Sequence, residues 1–441
     1  MENRIPIVTE RGHLFSINSS ISMTAKIHGT ITKEMVSKAL EKVIIRHQIL
    51  TSTIVREKSG EAFYQINTSK PIEPSYFPYG EINHLAAYIQ KEEGVPFDLE
   101  NGPLLRLIVF KGEDRSAIVL IGHSVLSDGK GYQCFLEELV YYMNQEHEQP
   151  EAVEVQTMSQ RIALPKVSSL KLATKLQLNA LNREWKRAPH MFSNMDYIEL
   201  FERFRKTHKA PIIIKEINAK STGCLLHNCE ERNVSVTATI MTAFFAVMHN
   251  FDRFHRGKDV RAEVTVDLRD NLVITKPPVI ANLSGNVYLM REYAQGLSFW
   301  DNVKVVDNYL KEKKKPKHKL ESTILAKELS GTLLESIPFS AYGGYEQPVS
   351  KKAAHLFYQG EKEKGLGIEN LGVINYDQEQ DVYIDSLCLI PSASLGNDLT
   401  VGAVTVNGCL SLCIRYDKVH YSERIVEDMV RAAVNYMWNR T

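Results

Sequence analysis

Apolar and polar positions along this chain switch repeatedly between a period of two and a helical period. Residues 22–27 alternate as a strand does, with successive side chains on opposite faces. Thr32 then offers a capping hydroxyl, and residues 33–47 place Met35, Ala39, Leu40, Val43 and Ile44 on one face of a helix. Strand-like runs follow at 50–55, 61–66, 104–110 and 117–121, with a helical stretch at 83–94 before the last two. The turn Lys111-Gly112-Glu113-Asp114 joins those two strands, and a helix-like segment over 132–140 continues to 144.

Periodicity weakens over 145–170, a polar stretch holding Pro150 and Pro165, which predicts a linker into a helix over 170–187. Mixed patterning then resumes. Strands are expected at 211–217, 263–266, 286–291, 371–375, 382–389, 399–406 and 409–416, and helices at 235–250, 300–313 and 422–438. The reading is an α/β (α+β) chain in two lobes, 1–165 and 166–441. No short internal repeat is present.

Composition narrows the class. At 441 residues the chain is long enough for two or three domains, and 44% hydrophobic content can fill a core in each half. The 53 basic and 53 acidic residues cancel, which argues against bulk attraction to nucleic acid or an anionic membrane. The start, Met1-Glu2-Asn3-Arg4-Ile5-Pro6, lacks an apolar signal region, and no run approaches the roughly 18 apolar residues of a membrane span. A soluble cytoplasmic protein is the expectation. The six cysteines need not form a disulfide framework in so long a chain. Cys224-Leu-Leu-His227-Asn-Cys229 has no second cluster at zinc spacing, so these are read as ordinary thiols near a polar turn and no metal is expected. The run 311–319 is lysine-rich and broken by Pro316. It reads as a solvated helix end, with a phosphate dock as the functional alternative.

The chemistry concentrates at residues 123–129, His-Ser-Val-Leu-Ser-Asp-Gly, which close an apolar strand. A histidine at a strand end can act as a general base, and one beside an apolar strand can equally be a structural residue. Ser124 raises a nucleophile reading. No G-x-S-x-G elbow surrounds it, and neighbours on a strand face opposite ways, so His123 is badly placed to serve Ser124. Gly129 permits a tight turn or a close backbone approach.

Four stretches together resemble the chloramphenicol-acetyltransferase-like superfamily of acyltransferases, which includes condensation domains, alcohol acetyltransferases and polyketide-associated acyltransferases. Residues 29–50, ending Arg46-His47-Gln48-Ile49-Leu50, look like its opening helix and "RHxxLR". Residues 96–106 are similar to "PFDLxxGPLLR". Residues 123–129 stand where HHxxxDG does. Val264-Thr265-Val266-Asp267-Leu268-Arg269 and Ser284-Gly285-Asn286 look like "VDLR" and "GN", and Glu369-Asn370-Leu371-Gly372 resembles "SNLG".

The resemblance implies two similar lobes with a tunnel between them, no bound cofactor, and an acyl-CoA or phosphopantetheine thioester as co-substrate. Partners would be a small alcohol or amine acceptor and the thioester, with an acyl or peptidyl carrier protein as the alternative donor. It places His123, Ser124 and Asp128 at the catalytic position. It implies that Asp128 pairs with Arg269 and that Gly129 keeps the turn, and it puts Asn286 and Asn370 at the substrate. The departure lies at Ser124, which occupies the place of the base. Three readings follow. One is an acyltransferase working through proximity, a water relayed by Ser124, or a histidine from elsewhere, with His227 and His355 as candidates. The second is an inactive binding protein of the same fold, and the third is different chemistry in the same tunnel. Condensation-type amide synthesis is a variant of the first.

Overall fold

The computed structural model describes residues 4–161, 170–251, 259–272, 279–358, 365–392 and 397–438. The expected division at 165/166 lies outside the described residues. Among those described, the strands form three sheets.

The first large sheet has five strands in the order Tyr383–Ile390, Ser20–His28, Arg115–His123, Leu105–Lys111 and Ser75–Pro78. Its neighbours are antiparallel except the last pair. The helices Lys33–Arg46 and Gly129–Asn144 pack together beside it. Thr32 caps the first of these through Met35 N, as the sequence predicts. The second helix begins at Gly129 rather than at 132, because the Asp128 carboxylate accepts from Gly131 N and sets its start.

The second large sheet runs Ser284–Arg291, Val260–Asp267, Gly365–Ile374, Asn397–Val406, Cys409–Tyr416 and Ile212–Ile217. Gly365–Ile374 is parallel to both of its neighbours, and the other pairs are antiparallel. A buried, nearly all-apolar helix, Val236–Phe251, packs between Phe299–Lys313 and Glu423–Trp438 on this side. A small sheet of Arg4–Pro6, Ala62–Gln65 and Thr53–Arg56 completes the set.

Two apolar cores correspond to the two large sheets. The chain crosses between them. Tyr383–Ile390 returns from the second half to the edge of the first sheet, and Leu200 and Phe201 of the helix Asn194–Thr207 join the first core. One expectation changes. The stretch Cys224–Cys229 lies within the helix Ala219–Glu231 rather than at a turn, with Cys224 exposed, Cys229 buried against Thr239, and His227 beside Glu231 at 3.2 Å. The lysine run does end one helix, at Lys313, and a short one opens at Pro316, with Lys311 paired to Asp307 at 2.7 Å and Lys317 to Glu312 at 3.0 Å. Among the described residues no single helix is long and apolar enough to cross a membrane.

Candidate active site

The strand Arg115–His123 delivers the 123–129 loop to the junction of the two lobes. There the two neighbours part company. His123 is fully buried, its ring edge-on to Phe97 at 5.4 Å. Its Nδ1 accepts from Val125 N at 3.0 Å, and its carbonyl accepts from Tyr132 Oη at 2.7 Å. Burial, then the nearby His13 and Arg106, lowers its pKa to about 3. His123 does not line the cavity described below, and its buried imidazole is neutral near pH 7.

Ser124 does face the cavity. Its backbone is fixed from both lobes, with its N–H donating to Ser19 O at 2.6 Å and its carbonyl accepting from Asn282 Nδ2 at 2.7 Å. Its hydroxyl stands 3.2 Å from His13 Nδ1. His13 ends the 3-10 helix Thr9–His13, which is firmly anchored. Arg11 Nε donates to the buried Glu335 carboxylate at 3.0 Å, and Glu10 accepts from Met158 N at 2.9 Å. Burial lowers the His13 pKa to about 4, so the ring is neutral near pH 7. Neither His227 nor His355 lines this cavity.

Asp128 is buried and turned away from the cavity, toward the second lobe. Arg269 Nη1 and Nη2 each donate to it at 3.0 Å, a bidentate pair, and Gly131 N and Leu283 N donate at 2.9 and 2.8 Å. Arg269 also donates to Asp267 Oδ1 at 3.1 Å. Burial opposes the Arg269 charge, and the Asp128 carboxylate more than offsets this, so its pKa is raised. The geometry makes Asp128 a clamp between lobes, and it does not line the cavity. A Cβ on Gly129 would come within 2.5 Å of Glu369 Oε1, so the glycine leaves room for that carboxyl. Burial first, then the Asp128 charge, raises the Glu369 pKa to about 8.

The cavity holds about 260 Å³. Its wall takes His13, Asn18 and Ser124 from the first half and Glu263, Asn282, Asn286 and Glu369 from the second. Asn286 lines it and donates to Glu263 at 2.7 Å. Asn370 does not. It donates to Thr237 at 3.1 Å and accepts from Gly372 N, shaping the bulge in its strand. His13, Asn282 and Glu263 are cavity residues that sequence reasoning missed. No local pattern around them signals a site. One trio among the described residues, His47, Cys134 and Glu138, has ligand atoms close enough for a metal. Glu138 already accepts from Arg46 at 2.9 Å and pairs with His47 at 2.6 Å, and the adjacent guanidinium opposes a cation.

Two sheets meeting at a cavity, with an Asp–Arg clamp beside a strand-end loop, give this chain a two-lobed, chloramphenicol-acetyltransferase-like fold. Solved structures over the whole chain agree. The first condensation domain of the CDA synthetase superposes with TM-score 0.63 at 13% identity, over 100% of this chain and 97% of that one. Polyketide synthase associated protein 5 from Mycobacterium tuberculosis gives 0.62 at 14%, over 100% and 99%. A trichothecene 15-O-acetyltransferase from Fusarium sporotrichioides gives 0.61 at 12%, over 99% and 94%.

Within that fold, residues 12–160 match the family model of the condensation domain. Tyrocidine synthase 3 of Brevibacillus parabrevis is 30% identical over 125 residues, 28% of this chain and 2% of that protein. Bacitracin synthase 1 of Bacillus licheniformis is 25% identical over 142 residues, 31% of this chain and 2% of that protein. The matched stretch is thus a small part of the length of either synthase.

Proposed function

We propose that this protein transfers an acyl group from a thioester to an alcohol or amine bound in the cavity between lobes 1–165 and 166–441, with His13 supplying the base that the 123–129 motif lacks. The observation that carries this reading is the 3.2 Å contact between His13 Nδ1 and Ser124 Oγ at the cavity wall. A serine hydroxyl alone cannot accept a proton near neutrality, whereas a neutral imidazole can. The donor is acyl-CoA or a phosphopantetheine thioester. The condensation-domain match supports a carrier-borne form and amide synthesis.

The test is release of free thiol from acyl-CoA and acyl-pantetheine donors, with mixed amine and alcohol acceptors. Acceptor-dependent release is expected, with His13→Ala slower by roughly 10²–10⁴-fold, the usual worth of a general base. No release from any donor would refute the reading. Ser124 itself, standing at the base position, favours a second reading: a binding protein without turnover. That reading predicts donor binding with no thiol release in the wild type, and unchanged binding in His13→Ala.

A further inference from the structure

Three features of Ser124 go beyond what a passive cavity residue needs. Its hydroxyl lies on the cavity wall, where an acyl carbonyl would sit under the reading above. Its backbone N–H and carbonyl are both engaged, by Ser19 and Asn282, so the side chain projects from a fixed point. Its contact with His13 Nδ1, at 3.2 Å, is within the reach required of a nucleophile and its base. The geometric objection to a serine nucleophile is that His123, its chain neighbour, points elsewhere. That objection holds for His123, whose Nδ1 is occupied by Val125 N, and does not touch His13.

We propose that Ser124 is a nucleophile activated by His13, which takes the acyl group from the thioester as a serine ester and passes it to the acceptor. The proposal rests on the acyl-transfer reading for its donor. In the first step Ser124 Oγ bonds to the thioester carbonyl carbon and the carbon–sulfur bond breaks. The serine proton passes to His13 Nδ1 and on to the departing sulfur, so a free thiol leaves. In the second step the acceptor's hydroxyl or amine gives its proton to His13 as it attacks the ester. The carbon–Oγ bond breaks and Ser124 recovers that proton. No oxidant or added reactant is required. The neutral state of the His13 ring near pH 7 suits it to the first transfer.

The measurement is intact-protein mass spectrometry of the full chain mixed with acetyl-CoA, octanoyl-CoA and an acyl N-acetylcysteamine thioester, without acceptor. Each chain is expected to gain one acyl group in place of one hydrogen, located on the peptide containing Ser124, with release of one thiol. Ser124→Ala should give no adduct, and Ser124→Cys should give a thioester at the same position. His13→Ala should acylate more slowly by roughly 10²–10⁴-fold. Acceptor-dependent thiol release that persists in Ser124→Ala would overturn the serine ester and leave acyl transfer standing. Labelling of Ser124 by diisopropyl fluorophosphate, with no thiol released from any thioester, would uphold the dyad and overturn the thioester donor.

Discussion

Replacing Asp128 with alanine should cost more stability than replacing Arg269, although the two form one ion pair. Asp128 accepts four hydrogen bonds, two from Arg269 and one each from Gly131 N and Leu283 N. Its loss removes a helix cap worth about 1 kcal/mol. It also orphans the buried Leu283 N–H, at about 1–3 kcal/mol. Arg269 keeps Asp267 and the Ala281 carbonyl, so it pays only part of the roughly 3–5 kcal/mol for breaking a buried pair. The expected total is about 5 kcal/mol. Arg269→Ala leaves the carboxylate with both amide donors and should cost about 3 kcal/mol, the low end of that range. Urea unfolding followed by two probes tests this. Trp185 and Trp300 sit in the second core, so fluorescence follows that lobe, while far-ultraviolet circular dichroism follows both. Because Asp128 and Arg269 clamp the lobes, the two transitions should coincide in the wild type and separate in Asp128→Ala. Equal costs for the two substitutions, or a cost below about 1 kcal/mol for Asp128→Ala, would refute this account of the clamp.

Other outcomes follow from the same geometry. With its folded pKa raised from 4.5 to about 8, Glu369 keeps its proton in the folded chain where the unfolded chain would lose it. Its contribution is complete below the unfolded value and is lost as pH rises through about 8, at no more than about 1.4 kcal/mol per pH unit. Glu369→Gln should flatten that slope in urea titrations across the window. The His13 pKa, lowered from 6.5 to about 4, has the opposite sense: its contribution is complete above the unfolded value and is lost as pH falls through about 4. Thiol release should therefore be level near neutrality and fall on the acid side only near that value, with no limb near 6.5. Gly122→Ala should destabilise by about 3 kcal/mol or more, measured by urea midpoint. A Cβ there would lie 2.1 Å from the Tyr132 ring, which is fully buried and tied to the His123 carbonyl.

Much of the scaffold was legible because it is local. The cap at Thr32, the antiparallel pair 105–111 and 115–123, and the Asp128-Gly129 turn each depend on residues within a few positions of one another. The strand Gly365–Ile374 was legible only at its end. It is inner in its sheet and opens Gly-Leu-Gly, so neither alternation nor a β-branched run marks its first half. The helix Gly331–Ala341 carries Pro338 inside it and is buried nearly all round, polar Thr332, Glu335, Ser336 and Ser340 included, which hides its period. The contacts that make the site were the least legible. His13 lies in Thr-Glu-Arg-Gly-His, a short turn with no periodicity, and meets Ser124 across 111 positions of sequence. Asn282 reaches Ser124 from 158 positions away. Residue type can nominate a base, and only the fold decides which histidine stands beside which hydroxyl.

The seven-residue motif therefore divides into two functions that need not stay together in the chain. Its Asp-Gly end works through backbone geometry and a buried ion pair, which demand that sequence position. Its basic function demands only that an imidazole nitrogen reach the reacting proton, and catalytic constellations are defined by geometry rather than by order in the chain. An imidazole supplied by His13, as proposed above, would nevertheless change what the site can do. A base in the motif's own position would face the acceptor directly, so donor and acceptor must be bound together before anything is released. With the Ser124 hydroxyl beside His13 on the same cavity wall, the proposed serine ester would let the thioester react before the acceptor arrives. Initial-rate kinetics separate the two: intersecting double-reciprocal lines mean His13 acts on the acceptor, and parallel lines mean that Ser124 carries the acyl group between them.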